Sequence, residues 1–186
     1  MKGIIFNLLE EVVTNSYGVD TWDDLLADTG LDGVYTSLGS YPDENMPTLI
    51  AAASHRLGQT QLEVLRWFGQ QAMPLLYARY PGFFDAQPSL RPFLLSVNTM
   101  IHPEVLKIYP GASVPMFDFR DAPDGGLLMG YRSPRRLCAM LQGFAEGAGK
   151  HFNEPVVFDH RSCMLNGDES CLCHISFVAP QVTSAC

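Results

Sequence analysis

Residues 131–135 (YRSPR) place a phenol, a hydroxyl and a guanidinium at alternate positions of the chain. In an extended segment alternate side chains leave the same face, so Tyr131, Ser133 and Arg135 would converge on one spot. Two hydroxyls and one guanidinium form a donor set suited to a carboxylate or a phosphate. For this window alone, the alternative is a strand end whose Ser and Arg side chains are solvated.

A second candidate, His102, lies in the otherwise apolar stretch TMIHPEVLKIYPGA. A histidine on an apolar helix face is most often a satisfied core residue, and that interpretation stays open for this window. The functional alternative is a neutral imidazole that ligates a metal or a haem iron. Pro103 cannot donate a backbone hydrogen bond, so it would bend the helix and help to hold the ring in one place.

An iron ligand and, elsewhere in the chain, a cluster that grips two carboxylates are what a buried haem with its propionates requires. Together with MKGIIFNLLEEVV at the start and Pro115, the two motifs H-P-E and Y-x-S-x-R resemble the H-NOX domains. These are haem–nitric oxide/oxygen binding sensors related to the regulatory domain of soluble guanylate cyclase. The resemblance runs from Met1 to about Val178 and is to the standalone bacterial NO-sensor type.

The resemblance implies a haem b cofactor and a role for each matched residue. His102 would be the proximal haem ligand, Ile5 and Pro115 would press on the porphyrin and distort it, and the propionates would bind Tyr131, Ser133 and Arg135. In oxygen-binding members a Tyr lies in the distal pocket five positions after the Arg, where this chain has Met140. A thioether does not donate a hydrogen bond, and neither Leu9 nor Pro74 does. The resemblance therefore implies a sensor of NO, with CO as a second gas ligand. The alternative is that another donor, a Tyr or Gln of residues 70–80, enters the pocket.

The cysteines indicate a second site, since four of the five lie within residues 138–173. Cys163 and Cys171 flank a turn, His160 precedes them, and Cys138 lies on a helix expected to pack nearby. Three thiolates and one imidazole form a tetrahedral structural zinc set, and some bacterial H-NOX proteins resemble this arrangement. The alternatives are three free buried thiols beside an exposed histidine, or Cys173 in place of Cys171. Such thiolates can be oxidised, so a zinc-thiolate redox sensor is the competing function.

The elements that must position these residues predict an α+β fold. Apolar periodicity predicts helices near residues 3–17, 21–30, 47–57, 60–79 and 89–107, with Pro74 and Pro103 as kinks or breaks. A β-hairpin (VPMFDF and LLMGY), a helix (RLCAMLQGFAEGAGKHF) and two further strands follow. We expect one haem domain over residues 1–180, with a helical distal subdomain of about 1–60 and a proximal α+β subdomain of about 61–180. The haem would be buried between them, and residues 181–186 would form a tail.

Composition restricts the partners. A net charge of −8 over 186 residues argues against nucleic acid or an anionic membrane. No apolar run is long enough for a membrane span and no cleavage site follows the first helix, so the expected location is the cytoplasm. No nucleophile–base or acid pair stands out, so we expect a sensor and not an enzyme. The resemblance implies a partner in trans, either a histidine kinase or a diguanylate cyclase or phosphodiesterase that handles cyclic-di-GMP.

Overall fold

The computed structural model describes residues 1–178, so the predicted tail lies outside the described part of the chain. The helices are α1 (Gly3–Tyr17), α2 (Val19–Thr29), α3 (Asn45–Leu57), α4 (Gln61–Arg79), α5 (Pro81–Asp85), α6 (Leu90–Ser96), α7 (His102–Ile108) and α8 (Cys138–His151). The strands are β1 (Met116–Asp121), β2 (Leu127–Arg132), β3 (Val156–Ser162) and β4 (Cys171–Phe177). Within residues 1–178, no helix is both long and apolar enough to cross a bilayer.

The four strands form one antiparallel sheet in the order β1-β2-β4-β3. The predicted hairpin is present, with Phe117 opposite Tyr131. Side chains alternate across β2 and β4, and one face carries the buried residues Leu127, Met129, Tyr131, Cys171, Cys173 and Ile175. The α+β fold class predicted from the sequence is confirmed.

Helices α4 and α8 pack with their backbones in direct contact at Gly69 and Gly143. A Cβ atom added to Gly143 would lie 2.0 Å from the Arg66 carbonyl oxygen, and one added to Gly69 would lie 2.3 Å from that of Met140. The predicted break at Pro74 does not occur, because α4 continues through it to Arg79. Since α8 packs along this part of α4, the one hydrogen bond that Pro74 removes does not end the helix.

Helix α8 takes part in both halves of the core. One hydrophobic cluster joins α1, α2, α3 and α4 with Ala139, and the other joins the sheet and α6 with Cys138, Ala145 and Ala148. Phe144 packs against both clusters. Helix α8 therefore links the helical part of the protein to the sheet, and the division into subdomains near residue 60 stays a prediction.

The segment predicted as one helix over residues 89–107 is interrupted. Between α6 and α7 lies a π-turn, Val97–Ile101, in which the His102 N–H bonds to the Val97 carbonyl instead of the residue four back. Pro103 explains the interruption, since its ring excludes the carbonyl of Thr99 and it has no N–H to offer. A π-turn inside a helix frequently marks a functional position, and here it directly precedes His102.

Candidate functional site

A cavity of about 410 Å³ lies between the helical half and the sheet. This volume is within the range of small-molecule and cofactor sites. Its wall is mostly apolar and comes from α1, α4, α7, α8, β1 and β2. The structure brings seven of the residues predicted to bind a cofactor to this one cavity: Ile5, His102, Pro115, Tyr131, Ser133, Arg135 and Met140.

Leu9 does not belong to this cavity. It lines a separate space of about 20 Å³ beside Val13 and Trp67. On α1 the side chains that face the large cavity are Ile4, Ile5 and Leu8. Successive helix positions differ by about 100° in direction, so Leu9 points about 100° away from Leu8, toward the neighbouring helices. Leu8, and not the predicted Leu9, therefore lines the large cavity.

His102 enters the cavity from the first residue of α7. Burial lowers the pKa of His102 to about 4, so its imidazole is neutral at physiological pH and keeps a nitrogen lone pair for a metal. The ring of Phe117 lies 5.6 Å from the His102 ring and also 5.6 Å from the Tyr131 ring, measured between centroids. One aromatic side chain therefore packs against both the candidate ligand and the candidate anion-binding group.

The three donors of residues 131–135 reach the cavity although β2 ends at Arg132. Tyr131 and Ser133 are buried, and burial raises the pKa of Tyr131, which keeps its phenol protonated. The Ser133 hydroxyl accepts a hydrogen bond from the backbone N–H of Arg135 (3.3 Å). The predicted alternation holds, since Arg132 is exposed while its neighbours on either side are buried.

Arg135 is held in place by contacts that its sequence neighbourhood does not reveal. Its Nε donates to Asp43 Oδ1 (2.9 Å) and its Nη1 donates to the Ser113 carbonyl (2.9 Å). Asp43 lies 92 residues away in the chain, and no motif connects the two. The guanidinium is thereby fixed at the cavity wall with Nη2 left over for an anionic group inside the cavity.

Two further phenols line the cavity, and one of them, Tyr80, belongs to residues 70–80, where the sequence left a further donor open. Tyr80 follows α4, Tyr109 follows α7, and their hydroxyls are hydrogen-bonded to each other. The α8 face of the cavity has a different character, since it carries Met140, Leu141 and Phe144, none of which donates a hydrogen bond.

A separate thiol cluster lies between α8 and the sheet. The Sγ atoms of Cys138 and Cys163 are 3.6 Å apart and those of Cys163 and Cys171 are 3.9 Å apart. All three sulfurs lie within 4.8 Å of one another. Burial raises the pKa of Cys138 and Cys171, so the thiols stay protonated unless a cation stabilises the thiolates.

His160 does not join the three sulfurs within that distance. It lies on β3 opposite Cys173, and its Nε2 is buried without a hydrogen-bond partner among residues 1–178. A buried ring nitrogen without a partner costs free energy, and a metal ion is one group that would satisfy it. Three of the four predicted zinc ligands thus form a tight group, and the imidazole lies outside it. Cys173 is also outside it.

The residues of the large cavity fit haem. A neutral imidazole lies on one helix wall, apolar side chains make up most of the surface, and hydroxyl and guanidinium donors lie where β2 ends. A flat apolar macrocycle with a central metal and two carboxylates matches this division into apolar wall, metal ligand and anion-binding donors.

Comparisons with known proteins agree with this geometry. A family model described as Haem-NO-binding matches residues 2–160. The chain is similar to an H-NOX protein from Shewanella oneidensis whose crystal structure is in the Fe(II)NO ligation state, with 31% identity and a TM-score of 0.91 over 96% of this chain and 100% of that one. An NMR structure of the Shewanella oneidensis domain in the Fe(II)CO state has 31% identity and a TM-score of 0.87, over 96% and 99% of the two chains. The Fe(II) unliganded H-NOX protein from K. algicida has 26% identity and a TM-score of 0.86, over 99% and 100%.

Proposed function

Because the chain belongs to the Haem-NO-binding (H-NOX) family, we propose that it is a haem-based sensor that binds NO and signals to a separate protein. The observation that carries this proposal is the single apolar cavity that joins His102 on α7 to Tyr131, Ser133 and Arg135 beside β2. Haem bound there would supply an iron that takes a gas ligand.

Each residue of the cavity has a distinct task in this proposal. His102 offers a neutral nitrogen to the metal, and Phe117 packs against its ring. Tyr131, Ser133 and Arg135 bind the two carboxylates, and Asp43 orients Arg135. Ile5 and Pro115 line the cavity wall and would press on the macrocycle.

The gas preference follows from the α8 wall. Bound oxygen carries negative charge on its outer atom and needs a hydrogen-bond donor, whereas NO binds ferrous haem strongly without one. Met140 and Phe144, which form this wall, provide no donor. The cavity therefore favours NO, and CO as a second ligand, over oxygen.

The signal would travel by linkage between the gas and the protein conformation. Release of His102 from the metal would free α7 to move. NO can shift the equilibrium between the conformations with His102 bound and with His102 released by no more than the difference between its binding free energies for the two. The partner would be a histidine kinase, or a diguanylate cyclase or phosphodiesterase, acting in trans.

An absorption spectrum of the ferrous protein, prepared without oxygen and then divided between air and NO, tests the proposal. We expect no change in air, and with NO the signature of an iron without its axial histidine. His102→Gly should lose the native spectrum and regain it when free imidazole is added, because the small ligand fills the space of the missing ring. A stable oxygen adduct would contradict the gas preference, and an unchanged spectrum in His102→Gly would contradict the ligand assignment.

A second candidate function, a zinc-thiolate redox sensor, is favoured by the three clustered sulfurs and the unpartnered His160 nitrogen. Cys138, Cys163 and Cys171 would bind Zn²⁺ as thiolates and His160 would complete the tetrahedron. A peroxide would oxidise two of the thiolates to a disulfide and be reduced to water, which would release the metal and alter the contact between α8 and the sheet.

The zinc content of purified protein tests this second proposal, with Cys173 as a matched control. Cys173 is buried on the same sheet face but is not part of the tight sulfur group. We expect one zinc per chain in the wild type and in Cys173→Ser, and loss of zinc in Cys163→Ser. Equal zinc in all three proteins, or none in any, would refute the assignment.

A further inference from the structure

Helix α7, which carries His102, is held by few contacts. None of its residues belongs to the buried core. One side presents His102, Val105 and Ile108 to the cavity, and the other exposes Leu106 to 47%. Core packing therefore does not fix the position of this helix, and the contacts at its two ends have a large influence on where His102 lies.

The N-terminal end of α7 is attached through the π-turn. There the His102 N–H reaches back to Val97, and Pro103 contributes no hydrogen bond to the turn. No side chain of residues 97–101 is fully buried. A turn with this geometry joins α6 to α7 less rigidly than a continuous helix would, so it can act as a hinge.

The C-terminal end of α7 is fastened to α4. Tyr109, which directly follows α7 and is only 6% exposed, forms a hydrogen bond through its hydroxyl with the hydroxyl of Tyr80. Tyr80 in turn ends α4, and its N–H bonds to the Leu76 carbonyl (2.9 Å). Burial and the bond to Tyr80 raise the pKa of Tyr109, so its phenol is neutral.

Helix α4 is a firm anchor for this bond. At Gly69 and Gly143 its backbone packs directly against that of α8. The phenol pair thus joins a closely packed helix to a helix whose other end is the π-turn. Any outward swing of α7 must separate the two hydroxyls.

We propose that Tyr80 and Tyr109 are positioning residues that latch α7 against α4 and so oppose the release of His102. The proposal rests on the proposed function, in which His102 is the metal ligand. Without the latch, α7 swings outward about the π-turn at a lower free-energy cost. His102 release then becomes faster, by the factor that one neutral hydrogen bond supplies, about threefold to tenfold.

The variants that test the latch are Tyr80→Phe, Tyr109→Phe and the double variant, each of which removes only hydroxyls. Tyr77→Phe is the matched control. Tyr77 is also on α4, its ring packs on Phe84, it is 36% exposed, and its hydroxyl makes no hydrogen bond within residues 1–178.

The first measurement is amide hydrogen exchange of residues 105–109 in haem-free protein, which does not depend on any gas chemistry. We expect about threefold to tenfold faster exchange in the two single variants, no further gain in the double variant, and wild-type rates in Tyr77→Phe. Equal rates in all proteins, or effects of the two single variants that multiply in the double variant, would overturn the latch.

The second measurement is the rate at which the spectrum of the released histidine develops after NO is mixed with ferrous haem protein. A loss of general stability would not change this rate, whereas loss of the latch should raise it by the same factor as the exchange. A rate in Tyr80→Phe equal to that in Tyr77→Phe overturns the proposal. If wild-type protein never shows a histidine-ligated haem, the proposed function fails, while the haem-free exchange experiment still decides the latch.

Discussion

Replacing Gly143 with alanine should be far more damaging than its small size suggests. The added carbon would lie 2.0 Å from the Arg66 carbonyl oxygen, and ordinary contact begins at 3.4 Å, so α8 would have to retreat from α4 by about 1.4 Å. The obstacle is backbone and not a flexible side chain, so it cannot rotate away. Met140 and Phe144 flank Gly143 and line the cavity, so the same displacement would reach the candidate site.

The expected magnitude combines two opposing effects. Alanine is intrinsically better than glycine in a helix by about 1 kcal/mol. Overpacking a close contact costs about 1–3 kcal/mol, and more where backbone must move. We expect the steric effect to dominate, with a net loss of about 2 kcal/mol in the free energy of unfolding. For a chain of this size that corresponds to a melting temperature lower by about 4–8 °C.

Thermal unfolding of haem-free protein measures this loss, and Gly82→Ala is the control. Gly82 is also helical, in α5, but an added Cβ would meet nothing within 4 Å. That variant should be unchanged or more stable by up to about 1 kcal/mol. Melting temperatures of Gly143→Ala and Gly82→Ala that agree within about 1 °C would show that α4 and α8 are not in close backbone contact.

Three further predictions concern charge, anion binding and the gas. Burial raises the pKa of Glu146, but hydrogen bonds led by the one from Arg66 outweigh burial and leave the pKa below its usual 4.5. The ionised carboxylate therefore stabilises the folded protein fully above pH 4.5, and this stabilisation is lost as the pH falls through the folded-state pKa. Unfolding free energies against pH should therefore fall by about 1–2 kcal/mol more in acid for wild type than for Glu146→Gln. Arg135→Lys keeps the charge, but lysine cannot make the two-pronged contacts of a guanidinium, so haem transfer to apomyoglobin should be about tenfold faster than from wild type. Arg132→Lys, at the exposed neighbouring position, should transfer haem at the wild-type rate. Met140→Tyr places a phenol donor at the cavity wall and should allow oxygen binding in air, which Met140→Phe, a ring without a hydroxyl, should not.

Local sequence patterns predicted much of the fold, because the relevant interactions are between near neighbours. The alternation in residues 131–135 and the turn residues between β1 and β2 act over a few positions, and both features are present. The family resemblance predicted that His102 and Met140 lie at one site, and both residues line the large cavity.

What the sequence missed depends on tertiary packing. Whether Leu8 or Leu9 faces the cavity is decided by how α1 is rotated against its neighbours, and both residues fit an apolar stripe. The contact of Asp43 with Arg135 and the bond between Tyr80 and Tyr109 join residues far apart in the chain, with no motif to signal them. The interruption before His102 could have been anticipated from Pro103, but its form as a π-turn could not.

The π-turn has a consequence for how the chain tolerates changes in length. Its hydrogen bond joins residues five apart, whereas the hydrogen bond of an α-helix joins residues four apart. The π-turn therefore contains one extra residue, while the side chains before and after it keep the directions they would have in a continuous helix. Elsewhere in a helix, deleting one residue rotates everything downstream by about 100°. Deleting one residue within 97–101 would instead remove this extra residue and leave His102 facing the cavity. Homologous chains that differ by one residue at this point can therefore keep the same ligand geometry, and alignments should allow a gap there.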